Sequence, residues 1–64
     1  MTALHIIAKI IDMGKDASYY DVRELIESRA MICDYQAIYD GIIDHASSNE
    51  KNAASYAVDI MEAR

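Results

Sequence analysis

Three polar residues near the middle of the chain, Asp40, Asp44 and His45, form its densest group of side chains that could do chemistry. Two carboxylates and an imidazole can bind a metal ion or exchange protons. On a helix, however, Asp40 and Asp44 share one face, whereas His45 points about 100° away from Asp44. A zinc site needs three or four ligands that converge on one point. The spacing therefore predicts no metal site and no cofactor, and it leaves the two carboxylates facing water or a basic partner.

The remaining nucleophiles and bases lack a catalytic pattern. Serine, histidine and aspartate occur without the strand-to-helix turn that presents a nucleophilic serine. His5 is expected on the polar strip of a helix, and His45 near a helix end, where the helix dipole favours a cation. Cys33 is the only cysteine, has no neighbouring cation that would favour a thiolate, and is expected to be buried in an apolar turn. The sequence therefore predicts a protein that is not an enzyme.

Hydrophobic periodicity predicts an all-α fold, a compact bundle of three to four short amphipathic helices in one domain, residues 1–64. The predicted helices cover about residues 2–13, 19–30, 35–46 and 50–63. Residues that can cap helices indicate these boundaries. Thr2 is expected to begin the first helix and Gly14 to end it. The capping-box spacings of Ser18 with Asp21 and of Ser47 with Glu50 indicate the starts of the second and fourth helices.

The first helix is apolar on more sides than a surface helix needs. Its apolar residues cover an arc of roughly 220°, against about 100° for the helix of an ordinary monomer. We expect this helix to be surrounded, either by its own chain or by a second copy. A core of this size rarely stabilises a fold without help, and one cysteine cannot form a disulfide within the chain. The sequence therefore predicts a homodimer or higher oligomer, with an interface at Leu4, Ile6, Ile7, Ile10 and Ile11.

Two residues in the later helices carry specific expectations. Gly41 lies inside the third helix, where glycine costs about 1 kcal/mol relative to alanine. We expect another helix backbone to pass close to it, with a kink or an early helix end as the alternative. Ser55 lies on the polar side of the fourth helix, opposite a stripe that includes Ala53 and Ala57, and is expected to face solvent.

The charge distribution argues against a phosphate-binding surface. The net charge is −5, and residues 34–64 hold six acidic residues against two basic ones. The segment from Val22 to Ile43 has the outline of a helix-turn-helix, but its second helix carries Asp40 and Asp44 and no lysine or arginine. Direct nucleic-acid binding is therefore the alternative, and its contacts would have to come from other basic residues: Lys9, Lys15, Arg23 and Arg29.

The leading functional hypothesis is a small acidic module that binds other proteins. No signal peptide and no membrane span is visible, and a lone thiol is typical of a reducing cytoplasm, so we expect a cytoplasmic protein. Chains of this size and composition fit a modulator or inhibitor of a host protein, of the kind that phages and plasmids encode, and its target could handle nucleic acid. Tyr20, Asp40 and Asp44 are the predicted partner-binding residues, since Tyr20 projects away from the apolar face of its helix and the carboxylates suit a basic partner.

Overall fold

A computed structural model describes residues 2–47 and 49–63 of the chain, and within those ranges the fold is entirely helical. It contains four α-helices, α1 (Ala3–Met13), α2 (Tyr19–Arg29), α3 (Tyr35–Ile42) and α4 (Ala53–Glu62). Short 3₁₀ turns follow the first three helices at Gly14–Asp16, Ile32–Asp34 and Ile43–His45. The predicted all-α class with four helices is confirmed, although α3 is shorter than predicted and ends at Ile42.

The first two helices begin and end where their capping residues indicate. The hydroxyl of Thr2 accepts a hydrogen bond from the backbone N–H of His5 at 3.3 Å, and Ser18 accepts one from Asp21 at 3.2 Å. These bonds satisfy amide groups that have no partner within the helix. Gly14 ends α1 with φ of 54°, a left-handed conformation that glycine adopts without steric cost. The predicted caps of α1 and α2 are confirmed.

The predicted start of the fourth helix is wrong by three residues. The Ser47 hydroxyl accepts hydrogen bonds from the N–H groups of Asn49 and Glu50, at 3.3 and 3.1 Å, but the chain forms a bend there and not a helix. Asn52 caps α4, because its side-chain oxygen accepts from the Ser55 N–H at 2.9 Å. The capping-box spacing thus marks a tight turn that precedes the helix.

Ser55 is buried, at 5% exposure, and the expectation that it faces solvent is wrong. Its hydroxyl accepts a hydrogen bond from the Ser47 N–H at 3.0 Å, and its single proton can go to the Ser47 carbonyl or to Asn52 Oδ1, both at 3.1 Å. Asn52 in turn donates to the His45 carbonyl at 3.0 Å. This network, the Ser47–Asn52–Ser55 network, joins the end of α3 to the start of α4 and satisfies the buried hydroxyl.

The helix at the centre of the fold is α4. Seven of its ten residues are buried, and it packs against α1, α2 and α3. By contrast α1 buries only Ile6 and Ile10. Small side chains explain the difference, because Ala53, Ala54 and Ala57 let the neighbouring helices approach α4 from several directions.

Gly41 of α3 lies against the side chain of Ile7 in α1. A Cβ atom built on Gly41 would stand 2.5 Å from Ile7 Cδ1 and 3.1 Å from Ile7 Cγ1. The close approach predicted at this glycine is present, but it is made by the side chain of Ile7 and not by a helix backbone.

The relative directions of the helices follow from contacts at their ends. Tyr39 in α3 reaches Glu62 at the end of α4, while the carbonyl of His45, after α3, meets Asn52 at the start of α4. The turn after α1 packs on α4, and Lys15 in that turn pairs with Glu50 before α4 at 3.0 Å. α3 is therefore antiparallel to α4, and the C-terminal end of α1 lies near the start of α4. α2 and α3 pack on the same two helices, α1 and α4, and scarcely on each other.

Candidate interaction surfaces

The structure does not gather the polar residues of the middle segment into a chemical centre. Asp40 accepts a hydrogen bond from Gln36 at 3.0 Å, and Asp44 and His45 are exposed at the end of α3. Across residues 2–47 and 49–63, no three histidine, cysteine, aspartate or glutamate side chains could hold a metal ion together. Cys33 is exposed in the turn after α2, so the expectation of a buried thiol is wrong. The turn after α2 projects from the bundle. The hydrophobic periodicity of the flanking helices does not reveal this.

Large hydrophobic side chains remain exposed on two sides of the molecule. The exposed set within the described residues is Leu4, Ile11, Tyr19, Tyr20, Met31, Ile32 and Ile43. Leu4 and Ile11 lie on α1, and with the exposed Ala8 they form one stripe that we call the α1 flank. The residues on α2 and in the turn after it form a second patch.

Only part of the predicted oligomer interface is accessible. Ile6 and Ile10 have no exposed surface, because they point into the core of their own chain. Ile7 is half-buried against Gly41. Leu4 is 77% exposed and Ile11 is 40% exposed. The prediction for Ile6 and Ile10 is corrected accordingly, since their side chains cannot meet a second copy while the fold is intact.

The α1 flank lies between two polar edges. Because Ile7 lies against Gly41, α3 borders the flank on this side; the exposed Ala37 and Asp40 lie on α3 near Gly41, and the exposed Asp44 lies in the 3₁₀ turn after it. We call Asp40 and Asp44 the acidic edge. On the opposite side of the flank, α1 itself carries His5, Lys9 and Asp12, which we call the mixed edge.

The second patch, the α2 surface, consists of Tyr19, Tyr20, Arg23 and Ile32. Tyr20 is 75% exposed, as predicted, and Ile32 is 80% exposed. The ring of Tyr19 packs edge-to-face against Tyr20, with centroids 6.0 Å apart, and against Tyr56 at 5.7 Å. Aromatic pairs favour this edge-to-face geometry. The contact with Tyr19, which itself packs against Tyr56, therefore holds the exposed ring of Tyr20 in place.

An open groove of about 700 Å³ runs along the α2 surface towards the end of α4. Tyr19, Arg23 and Ile32 line it, together with Ile60 of α4. Arg23 Nε donates to Glu27 at 3.2 Å, and this hydrogen bond, with the charge of Glu27, raises the pKa of the Arg23 guanidinium. The groove thus presents tyrosine, isoleucine and a fixed arginine side by side.

Sequence reasoning missed Ile32 and the neighbouring Met31, which is 64% exposed. Both belong to the apolar turn in which Cys33 is expected to be buried, but the turn leaves both side chains in solvent. The sequence carries no periodic signal for this exposure, because residues in a turn follow no helical period.

The predicted partner-binding residues do not share one site. Tyr20 lies on the α2 surface, whereas Asp40 lies on α3 and Asp44 lies in the turn after α3. The two helices scarcely contact each other. The same separation weighs against a helix-turn-helix, whose two helices form one compact unit joined by a short turn.

The comparisons with known proteins add no relative. No family model matches the chain, and neither a curated protein nor a solved structure matches it. Among the helices described, none has the length and apolar character required to cross a membrane.

Proposed function

We propose that this protein is a non-enzymatic module that binds another protein through the α2 surface. The observation that carries the proposal is the open groove lined by Tyr19, Arg23 and Ile32, with the exposed ring of Tyr20 packed against Tyr19 beside it. Tyrosine and arginine dominate the energetic centres of protein interfaces, where a few well-packed side chains supply most of the affinity. Apolar side chains that stay exposed on a small domain are commonly explained by such a contact.

The proposed partner has an apolar projection that enters the groove and a basic rim around it. Glu24 and Glu27 line the grooves beside the α2 surface, and the chain carries a net charge of −5. Complementary charge speeds association and suppresses wrong partners. A protein that handles nucleic acid has a basic surface of this kind, so we propose a cytoplasmic modulator or inhibitor of such a protein, of the type that phages and plasmids encode.

We also propose that the module works as a homodimer. Leu4 and Ile11 expose apolar surface on the α1 flank, which lies away from the α2 surface. A second copy would remove that surface from water at about 25 cal/mol per Å². Light scattering at micromolar concentration should then give a mass near twice the 7.2 kDa chain, and a clean monomer would contradict this part of the proposal.

The partner proposal is tested by affinity capture from the native cell extract with two matched variants. Ile32→Asp places a charge in the α2 surface, whereas Ile43→Asp places the same charge on the exposed apolar residue after α3. We expect Ile32→Asp to lose a protein partner that the wild type and Ile43→Asp both retain. Tyr20→Ala should weaken the same capture, because it removes the exposed ring.

Three results would contradict the proposal. Equal capture by Ile32→Asp and the wild type would exclude the α2 surface as the binding site. Recovery of DNA without protein, lost on Arg23→Ala or Arg29→Ala, would instead favour the helix-turn-helix regulator. A specific chemical turnover by the purified chain would contradict its non-enzymatic nature.

A further inference from the structure

We infer that a small pocket between α3 and the end of α4 binds the guanidinium group of an arginine side chain from another polypeptide. Tyr35, Gln36 and Tyr39 of α3 line this pocket, together with Met61 and Glu62 of α4, and we call it the tyrosine pocket. It shares no lining residue with the α2 surface, so the two sites can be tested separately.

The spacing of two tyrosines along α3 builds one wall of the tyrosine pocket. Tyr35 and Tyr39 are four residues apart, so they lie on the same face of the helix, one turn from each other. Both are half-buried, and the hydroxyl of Tyr39 lies 3.5 Å from Oε1 of Glu62, the last residue of α4. The buried Met61 adds its thioether to the opposite wall. The pocket thus combines two aromatic rings, a thioether and an exposed carboxylate.

The size and the lining groups of the pocket suit a planar cation. Its volume is about 140 Å³, several times the roughly 10–15 Å³ that a single water needs, so it admits a group of several heavy atoms. Aromatic rings attract a cation to their faces, and a carboxylate can accept paired hydrogen bonds from a guanidinium group. Arginine combines stacking on a ring with this paired hydrogen bonding, whereas the ammonium group of lysine is a compact point charge.

The charged groups of α3 and α4 around the pocket are negative. Besides Glu62, Asp40 accepts a hydrogen bond from Gln36 at 3.0 Å, and Asp34 directly precedes Tyr35. The dipoles of the two helices offset each other here, because the positive start of α3 lies beside the negative end of α4. An anion would therefore be repelled, and an apolar group would remove water from the carboxylate of Glu62 at a cost. The pocket favours a cation.

No basic side chain of residues 2–47 and 49–63 lines the pocket. Three of these side chains form ion pairs within 3.2 Å elsewhere: Lys15 with Glu50, Arg23 with Glu27 and Lys51 with Asp59. The other two, Lys9 and Arg29, line a groove between α1 and α2 with Asp21 and Glu24. Arg64 lies outside the described residues, and Arg64→Ala removes it as a competitor. The described part of the chain therefore leaves the cation to a second molecule.

Nuclear magnetic resonance of isotope-labelled methionine methyl groups tests the inference in the Arg64→Ala chain. Met61 lies in the wall of the pocket, whereas Met13 ends α1 and Met31 lies after α2. The probes are the peptide Ac-Gly-Arg-Gly-NH₂ and the same peptide with citrulline, whose neutral urea group has a similar shape. We expect the arginine peptide to shift the Met61 signal at about tenfold lower concentration than the citrulline peptide, because only the cation gains the ring and carboxylate contacts. Met13 and Met31 should not respond.

Variants of two lining residues separate these contacts. Glu62→Gln should raise the dissociation constant of the arginine peptide about threefold, because an exposed charge pair is lost. Tyr35→Leu removes a ring and should raise it by a similar factor, whereas Tyr35→Phe keeps the ring and should bind as the wild type does. Glu24→Gln makes the same charge change on α2, away from the pocket, and should have no effect.

Circular dichroism checks that each variant keeps the helical spectrum. If Tyr35→Leu lost that spectrum, the citrulline peptide and Glu62→Gln would still decide the question.

Four results would overturn the inference. Equal shifts with the arginine and citrulline peptides would show that charge is not recognised. An arginine response that leaves Met61 unmoved, or that survives both Glu62→Gln and Tyr35→Leu, would place the contact elsewhere. An equal or stronger response to Ac-Gly-Lys-Gly-NH₂ would exclude recognition of the guanidinium group. None of these results affects the capture test of the α2 surface, because Ile32 does not line the tyrosine pocket.

Discussion

Replacing Gly41 with alanine sets two opposing effects against each other. Alanine favours the helix interior by about 1 kcal/mol over glycine. The added Cβ, however, would stand 2.5 Å from Ile7 Cδ1, 3.1 Å from Cγ1 and 3.3 Å from Cγ2. All three atoms must shift, and overpacking of this kind costs about 1–3 kcal/mol. The free energy of unfolding should therefore fall by about 0–2 kcal/mol, although the propensity scale alone predicts a gain.

A double-mutant cycle isolates the steric contact. Ile7→Val removes Cδ1, the atom nearest to the new Cβ, and by itself should cost about 0.5–1.5 kcal/mol. In the double variant the alanine methyl group occupies space that Cδ1 has left. The two substitutions should therefore compensate each other by about 1 kcal/mol.

Urea denaturation followed by circular dichroism measures these differences, at one protein concentration because association contributes to stability. Ala37→Gly is the matched control: this residue lies on the exposed shoulder of α3, one turn from Gly41, so it should cost about 1 kcal/mol and show no coupling to Ile7. If Gly41→Ala stabilised the protein by the full helix-propensity gain and added independently to Ile7→Val, the close approach of α1 and α3 would be refuted.

Three further substitutions test the network before α4, the core and the proposed dimer. Ser55→Ala leaves the part-buried N–H of Ser47 without its acceptor and should lower the free energy of unfolding by about 1–3 kcal/mol, measured by the same denaturation. If the free energy of unfolding fell by less than about a few tenths of a kcal/mol, water would be replacing the Ser55 hydroxyl as the hydrogen-bond acceptor. Ile10→Asp places a charge in the core, which costs several kcal/mol, and should unfold the chain, whereas Leu4→Asp should keep the helical spectrum and halve the mass seen by light scattering. A folded Ile10→Asp chain would contradict the position of α1.

The sequence predicts the ends of α1 and α2 because local chemistry determines them. Thr2 and Ser18 supply hydroxyl groups to the first helical turn, and Gly14 supplies a left-handed residue. Each of these capping residues acts on backbone groups three or four residues away, and no second capping candidate lies nearby. The start of α4 is different, because two capping candidates lie within a few residues. Asn52 caps the helix through contacts with His45 and Ser55 that depend on how α3 meets α4.

The centre of the fold is harder to predict, because hydrophobic patterns give most weight to large side chains. The isoleucines make α1 look central, yet much of that apolar surface stays exposed on Leu4 and Ile11. α4 is central because its alanines permit close packing, and small size is a weak signal in a hydrophobicity pattern. The position of Ile32 is not predictable for another reason, since a turn residue follows no helical period and its exposure depends on the packing of both neighbours.

The order of the helices has a consequence for biosynthesis. On the ribosome α1, α2 and α3 emerge first, and α4, on which all three pack, emerges after them. Until then the nascent chain lacks the contacts with α4, so side chains that have no exposed surface in the complete bundle, such as Ile6, Val22 and Ile38, are less completely covered. Chaperones that recognise exposed apolar segments therefore have their main opportunity to bind before α4 is released.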